Sequence, residues 1–324
     1  MRFISSRRSA RLVLASAGAA MLALGMLANL SAQAQSVVGQ SLRQVQRTAA
    51  EKVLAFGLTP NPEPYIPAGL SQSSDPRGGR GVIGLRDDRT QVTSSHYPWS
   101  AIGRLQSPAG ERYIDLCTGS LVAPDVVLTN AHCVVNPETH QVKTNITFHP
   151  NMVNGRVREA DHIANVVDII YGTNFSDESS FPHPNDWAFV KLDRPLGNTY
   201  GTLAWSSLSV SELVRNHRGG LTTVGYSGDF PAHAPGRTAG VHQGCNVLGE
   251  VEDSLIHDCD THGGSSGGPM LAVIDGEFRI VGLNSAERTD RQVNASTGET
   301  IQSQGIVNYG VKIDPIVSFI RQAF

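Results

Sequence analysis

From Val82 onward the chain is written in short apolar-alternating runs separated by turn residues, and this texture constrains the fold more than any other feature. The runs Val126–Thr129, Ile146–His149, Val166–Tyr171, Trp187–Leu192 and Leu221–Tyr226 have the length and alternation of half-buried strands. Met270 to Asn284 reads as two strands joined at Asp275-Gly276, a pair suited to the left-handed backbone of a two-residue hairpin turn. In this part of the chain only the C-terminus predicts a helix. There Asp314 can cap, Pro315 fits the first turn, and Ile316, Phe319 and Ile320 share a face. With 33 glycines and 17 prolines in 324 residues, an all-β barrel protein is expected rather than a helical bundle.

The first 34 residues differ from the rest. Arg2, Arg7, Arg8 and Arg11 precede an apolar run from Leu12 to Leu30, and Ala32-Gln33-Ala34 has the small-x-small pattern of a signal cleavage site. The alternative is an uncleaved membrane anchor. Cleavage removes four arginines and leaves 22 basic against 29 acidic residues, a net charge of −7. No basic run remains, so neither nucleic acid nor an anionic membrane is an expected partner. Export places the protein in the periplasm or outside the cell. In that oxidising setting four cysteines, Cys117, Cys133, Cys245 and Cys259, suggest two disulfides. There is no C-x-x-C pair or His-x-x-x-His cluster, so no metal is expected, and no cofactor.

Residues 35–81 read as a pro-segment and linker. Leu42, Val45, Ala49, Val53 and Leu54 recur at helical spacing and Gly57 stands where such a helix would stop. A Pro-rich stretch from Thr59 to Pro67 and a Ser/Gly/Arg-rich stretch from Ser71 to Gly81 then predict an extended, cleavable linker. The functional domain is expected at 82–324, as a monomer.

Three segments of that domain carry chemistry: Thr129-Asn130-Ala131-His132-Cys133, Asn185-Asp186-Trp187, and Gly263-Gly264-Ser265-Ser266-Gly267-Gly268-Pro269. A serine hydroxyl is a poor nucleophile until a neighbouring base takes its proton, and neutral imidazole suits that task. A buried carboxylate fixes the imidazole tautomer, and glycine-rich backbone supplies N–H donors for the oxyanion. His132, Asp186 and Ser266 are therefore the candidate base, orienting acid and nucleophile, with the amides of Gly264 and Ser266 as the oxyanion hole. Singly, each segment could be an ordinary core strand or a flexible loop. Their order, His then Asp then Ser, is the chymotrypsin order and not that of subtilisins or nucleophile-elbow hydrolases.

Thr129 to Val134, Asp186 to Leu192 and Gly264 to Pro269 resemble the histidine, aspartate and serine boxes of chymotrypsin-like serine proteases. The resemblance implies two six-stranded antiparallel barrels with the active site between them. The first barrel would supply His132 and Asp186, the second Ser266. It also implies a disulfide Cys117–Cys133 bracketing the histidine, and the expected second pair is Cys245–Cys259. Ser265 replaces the aspartate that receives the new N-terminus in animal digestive zymogens, so that activation switch cannot operate in the same form. Val82-Ile83-Gly84 and Cys245 to Thr261 look closer to the bacterial glutamyl-endopeptidase-like branch.

The implied activity is a secreted serine endopeptidase acting on proteins or peptides; the alternative is an inactive binding protein on the same fold. By the resemblance, Asp260, Thr261 and Asn284 line the pocket for the residue before the scissile bond. Asp260 holds the position that selects Arg or Lys in trypsin-like enzymes. Thr261 matches a glutamate-reading residue, but Asn284 replaces the histidine that accompanies it. The expectation leans towards Arg or Lys over Glu.

Overall fold

The structure, a computed structural model, describes residues 49–70, 87–110, 113–177, 182–293 and 300–324. The leader at 1–34, the start of the pro-segment at 35–48 and the stretch 71–86, with Ser71–Gly81 and Val82-Ile83-Gly84, lie outside the described residues.

Seven strands occupy the first half: β1 (Thr90–Gln91), β2 (Ile102–Ala109), β3 (Tyr113–Ala123), β4 (Val126–Thr129), β5 (Thr147–Pro150), β6 (Ala164–Tyr171) and β7 (Ala188–Leu192). Strands β2-β3-β4-β7-β6-β5 close into an antiparallel barrel. Closure leaves no unpaired edge, and the inward side chains of Leu105, Leu121, Phe148 and Phe189 are fully buried.

The second half contains β8 (Ala204–Trp205), β9 (Leu221–Gly225), β10 (Gly240–Cys245) and β11 (Val247–Val251). It continues with β12 (Ser254–His257), β13 (Pro269–Ile274), β14 (Glu277–Val293) and β15 (Thr300–Lys312). Together with β1 these form a nine-stranded sheet in the order β1-β10-β9-β13-β14-β15-β12-β11, and β8 runs parallel to β14. One six-stranded barrel is thus present as expected. Among the described residues the second sheet has no pairing that closes its two ends.

The hairpin expected at Asp275-Gly276 joins β13 to β14, with φ of 52° and 84° at the two turn residues and Ile274 opposite Glu277. Positive φ at both positions gives the turn the twist of its strands.

Helices are few among the described residues: residues 49–55, which end ahead of Gly57 at φ 67° as the helical spacing of Ala49, Val53 and Leu54 predicts, then α1 (Gly197–Tyr200), α2 (Val210–Asn216) and α3 (Asp314–Arg321). Asp314 does not cap α3. It is the first helical residue, Ile313 holds the cap position, and the Asp314 carboxylate accepts from the Ser207 hydroxyl. An acid in the first turn still favours the helix through its dipole. Ile316 and Ile320 are buried, and Phe319 packs 5.0 Å from Trp187. Within the part after Val82 the C-terminus is not the only helical stretch, contrary to the sequence pattern there. In α2 Ser209 and Glu212 form a reciprocal capping box, but only Leu213 is buried, too little apolar surface to show as periodicity.

The two expected disulfides are present, Cys117–Cys133 and Cys245–Cys259. The Pro-rich stretch Thr59–Pro67 has little regular structure, yet it is anchored: Tyr65 and Thr202 exchange backbone hydrogen bonds. Among the described residues no helix is long and apolar enough to cross a membrane.

Candidate active site

Adjacent strands of the barrel bring two of the three chemical segments together. β4 pairs antiparallel with β7, with Thr129 opposite Ala188. His132 lies three residues beyond the end of β4 and Asp186 two residues before the start of β7, so both fall at one end of the ladder. His132 sits in a single 3₁₀ turn, Ala131–Cys133, and the Cys117–Cys133 bond ties this turn to β3.

Asp186 is buried, with only 5% of its side chain exposed, and its carboxylate is fully engaged. Oδ1 accepts the His132 backbone N–H at 2.9 Å, and Oδ2 lies 2.7 Å from His132 Nδ1. The Ser285 hydroxyl donates to Oδ2 at 2.7 Å. Asn130 Nδ2 donates to the Asp186 carbonyl at 2.5 Å and fixes the backbone on which the acid sits. A carboxylate with these partners accepts only, so His132 Nδ1 carries the proton and Nε2 is left as a base.

Ser266 lies in the turn before β13. Its hydroxyl donates to the Ser285 carbonyl at 3.3 Å rather than to His132. Catalytic hydrogen bonds of this kind are often long without substrate and tighten only when it binds. Ser266, His132 and Asp186 line one cleft of about 440 Å³.

The glycine loop is held by its carbonyls. Thr118 Oγ1 donates to Gly264 O at 2.9 Å and Thr118 N to Ser266 O at 2.8 Å. Gly264 has φ of 99°, and a Cβ there would lie 2.4 Å from Tyr226 O, so no other residue fits. The amides of Ser265, Gly267 and Gly268 donate to His262, Asn284 and Ser265 carbonyls. Among the described residues the amides of Gly264 and Ser266 donate to nothing, which leaves two N–H groups for a developing oxyanion. Ser265, in place of the zymogen aspartate, exchanges a short hydrogen bond with the Ser227 hydroxyl.

The three expected pocket residues separate. Thr261 and Asn284 line the cleft; Asp260 does not. The Asp260 carboxylate accepts the Asp88 backbone N–H at 2.9 Å and lies 3.5 Å from His242 Nδ1, which itself accepts the Asp260 N–H. Asp260 therefore serves a hydrogen-bond network beneath the loop. Position along the chain placed it correctly, but side-chain direction is not written there.

Several contributors escaped the sequence pattern. Ser285 braces the candidate orienting acid Asp186, and Thr118 braces the serine loop. Phe175, Asp177 and His183 build the wall beside His132, where His183 Nε2 points at Asp177 from 3.3 Å and its Nδ1 accepts the Asn185 N–H. None belongs to a recognisable box. The Ser285 signal was its place immediately after Asn284. Two clusters could suggest metal ligation, Cys117-His132-Cys133 and Cys245-Asp258-Cys259, but each spends its sulfurs in a disulfide.

His257, on β12, is fully buried. Burial pushes its imidazole down to about 4, against smaller opposing effects of the Tyr309 backbone, Asp258 and the Asn284 side chain. The unfolded chain binds a proton near 6.5 that the folded protein refuses, so stability is complete above that pH and declines as pH falls towards 4. The full loss is about 3 kcal/mol. Thermal midpoints at pH 7.5 and 4.5 should differ more in the native protein than in His257→Gln; equal differences would show that His257 does not carry this linkage.

The trypsin-like peptidase domain family matches residues 117–283, from Cys117 through the histidine turn and Asp186 to the strand beyond Ser266. The chain belongs to the trypsin-like peptidase family. A glutamyl endopeptidase of Bacillus licheniformis is 30% identical over 205 residues, 62% of this chain and 58% of that protein. This trypsin-like peptidase thus spans under three fifths of that relative's length. A solved structure of Glu endopeptidase in complex with MPD is 26% identical, with a TM-score of 0.56 over 75% of this chain and 99% of the other. The protease Anisep of Arthrobacter nicotinovorans shares the fold at 19% identity and a TM-score of 0.51, over 70% and 96% of the two chains.

Proposed function

We propose that this trypsin-like peptidase is an exported serine endopeptidase, released by cleavage after Ala34 and working as a monomer outside the cytoplasm. Its second sheet is read as the counterpart barrel of the family. In the reaction, Ser266 Oγ attacks the substrate carbonyl carbon while His132 Nε2 takes the hydroxyl proton. The carbonyl oxygen becomes an oxyanion held by the Gly264 and Ser266 amides. Collapse expels the amine with the proton from His132 and leaves an acyl group on Ser266. Water, activated by the same imidazole, then releases the acid. The observation that carries this reading is the His132–Asp186 bond opening on the same cleft as Ser266 and two undonated amides.

For the residue before the scissile bond, selection of Arg or Lys by Asp260 has no support, because that carboxylate is engaged beneath the loop. Two relatives are named for glutamate. Yet among the described residues the cleft is lined by no lysine or arginine; its basic groups are the imidazoles of His132, His183 and His262, and Asp177 and Glu287 border it. A carboxylate would meet no ammonium or guanidinium in that lining, whereas an uncharged amide can use the hydrogen-bonding groups of Thr261 and Asn284. The pocket therefore reads a polar, uncharged side chain of glutamine size.

A fluorophosphonate probe should label the matured protein once, at Ser266, and kcat/KM on matched substrates should rank Gln above both Glu and Arg. No labelling of folded protein would favour the inactive binding protein. A leading Arg substrate would mean that Asp260 reaches the pocket after all, and a leading Glu substrate that a cation enters it on binding.

A further inference from the structure

Residues 52–70, expected from sequence to be the end of a helical pro-segment and the start of an extended linker outside the working domain, are built into the fold. Val53, Phe56 and Leu58 are 0%, 3% and 2% exposed and belong to the main hydrophobic core. On the barrel side, Lys52 Nζ pairs with Asp168 of β6 at 2.5 Å. Lys191 of β7 donates to the Ala55 carbonyl at 3.1 Å and lies 5.6 Å over the Phe56 ring. On the sheet side, Trp205 Nε1 of β8 donates to Pro60 O at 3.0 Å. Arg279 of β14 reaches the Glu63 carboxylate at 2.9 Å. Between them, Tyr65 N bonds to Thr202 O at 3.1 Å and Thr202 N to Tyr65 O at 2.8 Å.

The segment thus grips β6 and β7 at one end and β8 and β14 at the other. None of its residues lines the cleft, so it blocks no substrate. Losing it would expose a buried apolar face and leave the N–H of Trp205, a residue only 3% exposed, without its acceptor. All four cysteines lie between 117 and 259, so no disulfide would hold the segment after a cut ahead of Asp87.

We propose that residues 52–70 are a permanent strap of the working protein, kept by burial and hydrogen bonds whether or not the chain is cut between 71 and 86. Maturation at the Ser/Gly/Arg-rich stretch then yields a two-chain, non-covalent molecule in place of a single chain starting at Val82.

The test places the recognition sequence of an unrelated endoprotease within residues 71–78 of the full-length Ser266→Ala chain, which cannot cut itself. After complete cleavage the two fragments should co-elute in native gel filtration and part only in denaturant. The thermal midpoint should become dependent on protein concentration. Separation of the fragments under native conditions overturns the proposal, whatever the larger fragment then does. In the uncut, active chain, Phe56→Ala should lower the midpoint by about 10 °C and leave kcat/KM on a short peptide within twofold. An unchanged midpoint would also overturn it. Elution and midpoint do not depend on which residue is the nucleophile, so failure here is distinct from failure of the active-site assignment.

Discussion

Ser266→Ala should lower kcat by on the order of a million-fold and leave circular dichroism and the melting temperature unchanged. The substitution removes one oxygen from a loop whose shape is set elsewhere, by Thr118 on the Gly264 and Ser266 carbonyls and by the Ser265–Ser227 contact. Adding His132→Ala to Ser266→Ala should cost little more, because a base without a nucleophile has no proton to take. Steady-state and single-turnover rates on one peptide substrate, for the two single variants and the double, make the measurement. Substantial turnover by the Ser266→Ala protein would sink the assignment, and fully additive losses would show that the two residues do not act as a unit.

Asp186→Asn should lower kcat by about ten-thousand-fold with the fold intact. The native carboxylate accepts from His132 Nδ1, the His132 backbone and the Ser285 hydroxyl. An amide has one oxygen for these three donors. Whichever way it turns, its NH2 faces a donor, and the cheapest escape is for His132 to move its proton to Nε2. Nε2 would then be a donor and useless as a base. Nitrogen-15 spectra of the imidazole report this exchange directly, and fluorophosphonate labelling should slow in parallel. A slow variant with the native tautomer would refute the explanation though not the rate.

Much of the fold could be read in the chain because the barrel strands alternate cleanly. The run Val126–Thr129 is β4 to the residue, and Asp275-Gly276 is the β13–β14 turn. Elements held by tertiary contacts were less visible. The strand β14 runs 17 residues, far past the apolar stretch that announced it, since its later part is sustained by pairing with β15 rather than by composition. Residues 59–67 look like a linker because proline and polar residues dominate. Their fixed position comes from single contacts of Pro60, Glu63 and Tyr65 that no periodicity encodes. At the site, the candidate base, acid and nucleophile were legible as residue types in order. Those that aim them, Ser285 and Thr118, are ordinary strand residues and surface only when distances are known. Asp260 shows the converse: a charged residue at a telling position whose side chain turns away from the cleft.

Thr118 has a consequence beyond local support. Its neighbour Cys117 is tied to Cys133, next to His132, while its own hydroxyl and amide hold Gly264 and Ser266. Both ends of the site therefore hang on one point in β3. A slip of β3 by a single residue would bring Cys117 or Gly119 to that point; neither carries a hydroxyl, and every side chain of the strand would change face. The cross-link to the histidine turn would be strained by the same slip. A chain that pairs its strands wrongly thus cannot be half-competent: errors of assembly and errors of reactivity coincide, and a misassembled copy is an inert one.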